Sequence, residues 1–245
     1  MSTSRPSILF TLTILLLSFF SCEALPASHN APEITRRGSP TTLQDFSVPL
    51  SDSSTSLPSP SGTLKAIGVG RGTQNYNCAA ASSSTPSPVP VFIGANAILY
   101  DASPDILKFS VQKGMRALEQ IVEKLVQVNG SDIASVAKRY GITVLGHHYF
   151  NSGGQPTFDL TSSGTGFLVA KKIGQIPAPA GACAGQTGQA YGAVDWLALT
   201  DAGGSQGLNE VFRVDTSGGK QPPTCNGSVA YPIYVEYAAT YWFYH

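Results

Sequence analysis

The densest group of side chains that could carry chemistry lies in LGHHYFNSGGQPTFDL, residues 145–160. Two consecutive histidines, His147 and His148, are followed by Asp159 on what residue alternation predicts to be the next strand. An imidazole and a carboxylate on neighbouring strands would form a ligand pair or an acid–base pair. The two histidines point to opposite faces unless the strand is bulged. All three are candidate ligand-binding residues, and the structural alternative is a half-buried histidine bonded to a carbonyl.

A second motif, GGSQG at Gly203–Gly207, matches the G-x-S-x-G turn that presents the nucleophilic serine of many hydrolases. Asp215 and His245 follow in the expected chain order. That turn must join a strand to a helix, whereas Ser205 lies between two strand-like runs, WLALTDA and NEVFRVD. The flanking pattern favours a hairpin loop, and no catalytic residue is assigned from it.

Three glycines alternate in AIGVGRGTQNYNC, at Gly68, Gly70 and Gly72. The dinucleotide-binding fingerprint requires a third glycine where this chain has Thr73 or Asn75, and a helix must follow. The next residues are rich in Asn, Ser and Pro, so neither a nicotinamide site nor any other cofactor is expected. On a strand the glycines would share one bare face, and the rings of YPIYVEYAATYWFYH could pack against it.

The elements that would position these residues are mostly short strands separated by Gly, Pro and Ser clusters. Eight strands are predicted, at residues 65–78, 89–100, 143–150, 157–160, 167–173, 193–200, 210–215 and 233–244. Asp105–Val128 has apolar residues at helical spacing and predicts an amphipathic helix, and Ser131–Arg139 predicts a second, short one. Because helices do not alternate with the strands, a doubly wound parallel sheet is not expected. The predicted fold is mainly β, an antiparallel sandwich or barrel with a helical insertion at about residues 105–140.

The N-terminal region has the pattern of a secretory signal peptide. Residues 8–20 form an apolar run behind Arg5, with small residues near Ala24 for cleavage, and the run is too short to serve as a membrane anchor. Residues 25–62 are rich in Ser, Pro and Thr and predict a disordered tail. Within it, Arg36–Arg37 is either a dibasic processing site or two solvated charges. We therefore predict a signal peptide at 1–24, a tail at 25–62 and a single β-rich domain at 63–245.

The cysteines fit an oxidising compartment. Loss of Cys22 with the signal peptide leaves three thiols, so one disulfide and one unpaired thiol are expected. All three pairings remain open, and Cys78 with Cys225 is favoured because both border strand-like segments, whereas Cys183 lies in a loop. Two acceptor sequons, at Asn129 and Asn226, predict glycans on surface loops.

Charge and aromatic residues limit the partners. The chain has 15 basic and 15 acidic residues and no Lys/Arg cluster, so nucleic acid is not an expected partner. No metal site is predicted, because the two histidines cannot share an ion on a regular strand. Exposure of Trp196 or Trp242 would favour carbohydrate stacking, and burial of both would not.

Seven blocks of the sequence resemble, in order, a secreted domain family of unknown function found in fungi and bacteria. The blocks are GVGRGTQNYNC, ILYDAS, LGHHYF, PTFDL, VDWLAL, VFRVDTSGGKQPPTC and YVEYAATYWFY. The resemblance runs from about Lys65 to Tyr244 and implies a secreted, mainly β domain with no established activity and no functional residues to transfer. Fungal members often carry the label malate dehydrogenase, which the glycine pattern of this chain does not support.

Two functional hypotheses follow from the sequence. The first is a noncatalytic secreted or cell-surface protein that contacts a cell-wall polysaccharide or a host surface component. The second is an extracellular enzyme or polysaccharide-binding module that uses His147, His148 and Asp159. Convergence of these three side chains on a concave pocket would favour the second hypothesis.

Overall fold

The structure is a computed structural model, and it describes residues 42–51, 55–139, 142–225 and 229–245. The strands are β1 Leu64–Cys78, β2 Val91–Asp101, β3 Val144–Phe150, β4 Pro156–Leu160, β5 Gly166–Ile176, β6 Trp196–Asp201, β7 Glu210–Gly218 and β8 Tyr231–Tyr244. The helices are α1 Ser103–Ile106, α2 Val111–Gln127 and α3 Ile133–Arg139. Short 3-10 turns occupy Leu43–Asp45, Gly130–Asp132 and Thr161–Ser163.

The eight strands form a closed barrel in which each strand pairs antiparallel with the next and β8 returns to pair with β1. This confirms the predicted mainly β fold and selects the barrel over the sandwich. The helical insertion between β2 and β3 is also present. The single long helix predicted from Asp105 is instead two, because Ser110 adopts an extended conformation and begins α2 as its N-cap.

Side chains of the barrel interior, including rings of β8, pack against Gly68 and Gly70 of β1, as predicted, whereas Gly72 lies against the backbone of β2. The strand runs without interruption through Gly68, Gly70 and Gly72 to Cys78, so this segment is a sheet element and not a nucleotide-binding turn. A Cβ at Gly70 would lie 2.5 Å from Cε2 of Tyr241, so the ring of Tyr241 fills the space beside this glycine. The bare face therefore admits the aromatic rings of β8 into the barrel interior.

A second core lies outside the barrel, where α2 packs on β1, β7 and β8. Its buried members include Leu118 and Val122 from the helix and Trp242 from β8. Phe46, Val48 and Leu57 join this core and are at most 6% exposed. These three large apolar side chains, which precede the predicted domain start at residue 63, anchor their polar segment to the rest of the protein.

The predicted Cys78–Cys225 pairing and the predicted loop position of Ser205 are both confirmed, whereas the predicted unpaired thiol is not found among the described residues. Cys78 and Cys225 form a disulfide with a Cα–Cα distance of 5.6 Å. Cys183 is buried and is not a free thiol, so the expectation of one unpaired thiol is not met. Ser205 lies in the β6–β7 hairpin loop, as predicted, and its hydroxyl forms hydrogen bonds with Asp201 and with the backbone of Val169.

Candidate functional site

A cleft of about 590 Å³ lies on the outer face of the barrel, beneath the turn that leads into α3. The outward-facing side chains of β1, β2, β3 and β4 form its wall, and Gly130 and Ala134 form its helical rim. Hydrogen-bonding groups in its lining are Thr73, Asn96, His147, Tyr149 and Asp159. Asn96 and His147 are exposed, and the other three are partly exposed, so the cleft presents both donors and acceptors to solvent.

Arg71 forms the base of the cleft and is 3% exposed. Its guanidinium pairs with the Glu236 carboxylate and donates to the carbonyl of Gly72 at 2.8 Å. The same group donates to Leu125 O and Val128 O at 2.9 Å each, which satisfies carbonyls at the C-terminal end of α2. One side chain therefore fixes α2, and with it the rim of the cleft, to the barrel wall.

His147 and Asp159 are brought together, as their positions on neighbouring strands predicted. They lie directly opposite each other in the β3–β4 ladder, and both line the cleft. The Asp159 carboxylate accepts from the backbone nitrogen of Thr161 at 3.1 Å and from its hydroxyl at 2.5 Å. These two hydrogen bonds, with a smaller contribution from His147, lower the pKa of Asp159, so it remains ionised.

The side chain of His148 lies on the other side of the barrel wall from those of His147 and Asp159. Its ring stacks on Phe158 with 4.3 Å between centroids, and Nδ1 lies 3.0 Å from the carbonyl oxygen of Thr157. Because that oxygen can only accept, Nδ1 must carry a proton. The neutral ring with its proton on Nδ1 satisfies this contact. Burial lowers the pKa of His148 to about 4. All three candidate residues are part of the cleft lining, but the His148 ring is buried against Phe158, so only His147 and Asp159 offer their polar side-chain groups to the cleft.

The burial of His148 predicts a loss of stability in mild acid. Its pKa falls from 6.5 to about 4 on folding, so the unfolded chain binds the proton more readily. The contribution of neutral His148 to the free energy of unfolding is fully present above pH 6.5. The free energy of unfolding should decrease by about 3 kcal/mol as the pH falls towards 4. Urea unfolding of the disulfide-intact protein at several pH values measures this. His148→Gln should flatten the profile in that range, and retention of the full slope would contradict the assignment.

A matched variant separates this effect from general acid sensitivity. His147→Gln removes the neighbouring exposed imidazole and should keep the acid-dependent loss of the unmodified protein, because that ring is not taken from water on folding.

Two residues of the cleft were missed in the sequence. Residue alternation puts Arg71 on the face opposite the glycines, but its partner Glu236 is 165 residues later in the chain, on β8, and no local pattern links the two. Asn96 alternates with buried Ala95 and Ala97, and this period-2 pattern was the only signal that it faces outward.

Of the two predicted glycosylation sites, only Asn129 lies in the part of the chain that the structure describes. Asn129 is exposed in the turn between α2 and α3, directly before the rim residue Gly130. Asn226 lies outside the described residues, as do the predicted signal peptide and Arg36–Arg37. Both tryptophans are buried, Trp196 at 1% and Trp242 at 0% exposure, so neither offers a stacking surface for a sugar.

The described ranges contain neither a cluster of metal-ligating side chains nor a membrane-spanning helix. No three His, Cys, Asp or Glu side chains lie close enough together there to hold a metal ion. In the same part of the chain, no helix is long and apolar enough to cross a membrane.

The fold and site define a closed antiparallel barrel of eight strands, with a disulfide and a polar cleft on its outer wall. The chain belongs to the family described as protein of unknown function (DUF3455), whose model matches residues 58–245. No curated protein and no solved structure gave a significant match to the sequence.

Proposed function

We propose that the protein is a secreted, noncatalytic binding protein whose outer cleft holds a hydroxyl-rich ligand, a segment of cell-wall polysaccharide. The observation that carries this proposal is the cleft itself, about 590 Å³ in volume and lined by amide, imidazole, hydroxyl and carboxylate groups. Such a mixture of donors and acceptors on rigid strands is suited to sugar hydroxyls, which both donate and accept.

Aromatic and apolar contacts complete the cleft. Tyr149 lies partly exposed in its lining, and Ile98, which is 38% exposed, lies in the same lining opposite His147. The ring and the branched aliphatic side chain can cover the apolar face of a pyranose, while Asn96 and His147 bond its edge. This arrangement takes the place of the tryptophan platform, since both tryptophans are buried.

The state of the carboxylates supports binding without hydrolysis. Glycoside hydrolysis requires two carboxyl groups, of which one has a raised pKa and donates a proton. In this cleft the Thr161 hydrogen bonds lower the pKa of Asp159, and Glu236 is paired with Arg71. His148, the third candidate, also lines the cleft, but its imidazole ring is buried against Phe158. The cleft therefore offers hydrogen bonds and no proton donor of the required kind.

Secretion is supported by the apolar run at residues 8–20 and by the Cys78–Cys225 disulfide, which is typical of oxidising compartments. Mass spectrometry of the protein recovered from culture medium tests this part of the proposal. A chain that begins near residue 25 would support it, and retention of the whole chain inside the cell would contradict it.

The binding proposal predicts that the purified domain sediments with insoluble wall polysaccharides, among which chitin and β-glucan are the first probes. The double variant Asn96→Ala, His147→Ala should reduce the bound fraction by about tenfold, because two hydrogen bonds of the cleft are removed. Co-sedimentation and calorimetry with soluble oligosaccharides measure the loss.

The matched control is Lys171→Ala, which alters an exposed residue of β5 outside the cleft and should bind as the unmodified protein does. Equal loss in the control, or no sedimentation with any wall polysaccharide, would contradict the proposal. Release of new reducing ends from the bound polysaccharide would contradict its noncatalytic part.

A further inference from the structure

One end of the barrel exposes large apolar side chains to solvent. β1 ends and β2 and β8 begin at this end, next to the Cys78–Cys225 disulfide. Most of the large apolar side chains exposed in the described ranges lie here, with exposed fractions between 43% and 68%. We call this group the apolar tip, which consists of Val89, Val91, Phe92, Ile93, Val229 and Tyr234. Exposed apolar side chains mark an interaction surface when they form one patch.

Strand register and the disulfide bring the members of the apolar tip together. Val91 of β2 and Pro232 of β8 both pair with Asn77 of β1, from its two sides. They therefore lie on the same face, about 10 Å apart. The disulfide ties the β7–β8 connection to the end of β1, and its second cysteine, Cys225, donates its backbone N–H to Pro88 O at 2.8 Å. The two stretches of the apolar tip thus lie side by side.

The connections at this end carry almost no charge. They contain two charged residues, Asp195 and Lys220, in the four stretches 79–90, 151–155, 177–195 and 219–230. At the opposite end, the connection from β2 to β3 carries charged residues throughout α2 and α3. A partner that is recognised through ion pairs would find few complementary groups around the apolar tip.

Outward-facing residues of β8 change from apolar to charged with distance from this end. Pro232 is exposed near the start of the strand, Tyr234 is 54% exposed two residues later, and Glu236 lines the outer cleft two residues further on. Successive residues on one face of a strand are about 7 Å apart. This is the order of a membrane interface, where aliphatic side chains lie deepest, tyrosine rings lie among the headgroups and charged groups remain in water.

The size of the apolar tip favours a lipid surface over a second protein molecule. A standard protein–protein interface takes about 20–30 residues from each partner. The apolar tip has six large apolar side chains, which is too few for a stable dimer. A bilayer requires no complementary shape, because adsorption to its interface depends on the apolar area that is buried.

We propose that the apolar tip inserts reversibly into the interface of a neutral phospholipid bilayer. Val89, Val91, Ile93 and Val229 enter the boundary of the acyl chains, and the ring of Tyr234 lies at the level of the headgroups. The barrel itself remains in water, with the outer cleft open. This surface uses none of the cleft residues, and it does not rest on the polysaccharide binding proposed for them.

Tryptophan fluorescence with phosphatidylcholine vesicles tests the proposal. The native tryptophans are at most 1% exposed, so they give a constant background. Val91→Trp places a reporter at the apolar tip, and its emission should shift to shorter wavelength when vesicles are added. Val144→Trp places the same reporter at a 47% exposed valine at the opposite end of the barrel, and its emission should not change. The protein is first treated with an endoglycosidase, because the Asn226 sequon lies in the β7–β8 connection.

Two further measurements with vesicles test the insertion depth and the contribution of a single residue. Lipids brominated on the acyl chain should quench Val91→Trp more than Tyr234→Trp, because residue 234 lies nearer to the headgroups. In vesicle sedimentation, Val91→Asp should lower the partition coefficient by about tenfold or more, since it places a charge at the apolar tip. Val144→Asp is the matched control and should bind vesicles as the unmodified protein does.

The cleft and the role of charge are tested in the same assay. The double variant Asn96→Ala, His147→Ala should keep full vesicle binding, so failure of this proposal and failure of the polysaccharide proposal are distinguishable. High salt should not weaken vesicle binding, because the apolar tip is nearly uncharged.

Several outcomes would overturn the proposal. These are an unchanged emission of Val91→Trp, equal loss of binding in Val91→Asp and Val144→Asp, and binding that requires anionic lipid or is abolished by high salt. A dimer in sedimentation equilibrium that Val91→Asp dissociates, without vesicle binding, would instead assign the apolar tip to contact between two copies of the chain.

Discussion

Gly72→Ala is expected to destabilise the protein by about 3 kcal/mol or more, although it adds a single methyl group. A Cβ at this position would lie 1.8 Å from the carbonyl oxygen of Asn96 and 2.5 Å from Cα of Ala97. Both atoms belong to the backbone of β2, so no side chain can move aside to make room. The cost is purely steric, and it should appear as a lower urea midpoint for unfolding.

The other two glycines of β1 provide graded controls. At Gly68 the nearest atom to a new Cβ is Cδ2 of Leu145 at 3.0 Å, the end of a flexible side chain, so Gly68→Ala should cost little. Gly70→Val should be clearly destabilising, because the ring of Tyr241 occupies the space beside it. Equal midpoints for Gly72→Ala and Gly68→Ala would show that β1 and β2 do not approach this closely.

Arg71→Met is expected to destabilise the protein by about 3–5 kcal/mol, because it leaves the Glu236 carboxylate without its cation. It also removes the donors to Leu125 O and Val128 O, so the C-terminal end of α2 loses its attachment to the barrel. Chemical unfolding measures the first effect. Faster amide hydrogen exchange in residues 124–128 measures the second.

Two comparisons make the prediction specific. Arg71→Lys keeps the positive charge but loses the planar guanidinium with its several donors. It should therefore be more stable than Arg71→Met and less stable than the unmodified protein. Lys108→Met breaks an ion pair whose side chains are 67% and 47% exposed, and it should cost less than about 1 kcal/mol. A loss no larger for Arg71→Met than for Lys108→Met would contradict the role assigned to Arg71.

Much of the fold could be predicted because each strand is determined by a pattern of residues that are close together in the sequence. Each of the eight strands has apolar residues between Gly, Pro or Ser clusters, and each predicted strand overlaps an observed one. The parity of Gly68, Gly70 and Gly72 also predicted that they share one face. Alternation likewise predicted that His147 and His148 point to opposite sides of the wall.

The remainder depends on pairings that a local pattern does not contain. Arg71 meets Glu236 only because β8 closes the ring against β1, which places Thr73 opposite Glu236. On β7 the inner and outer faces are both covered, so Val211 and Phe212 are equally buried and alternation could not show that Arg213 faces the interior. The position of Arg213 follows only from the register of β7 in the closed barrel, where it lies opposite Leu197 and Tyr241.

The pairing of the first strand with the last has a consequence for biosynthesis. Because β8 is the final strand of the domain, every earlier strand emerges from the ribosome before the ring can close. Until then β1 presents an unpaired edge, and the slow, long-range closing step must occur with that edge open to other chains. A nascent chain stalled before β8 is thus a natural client for chaperones that cover exposed strand edges.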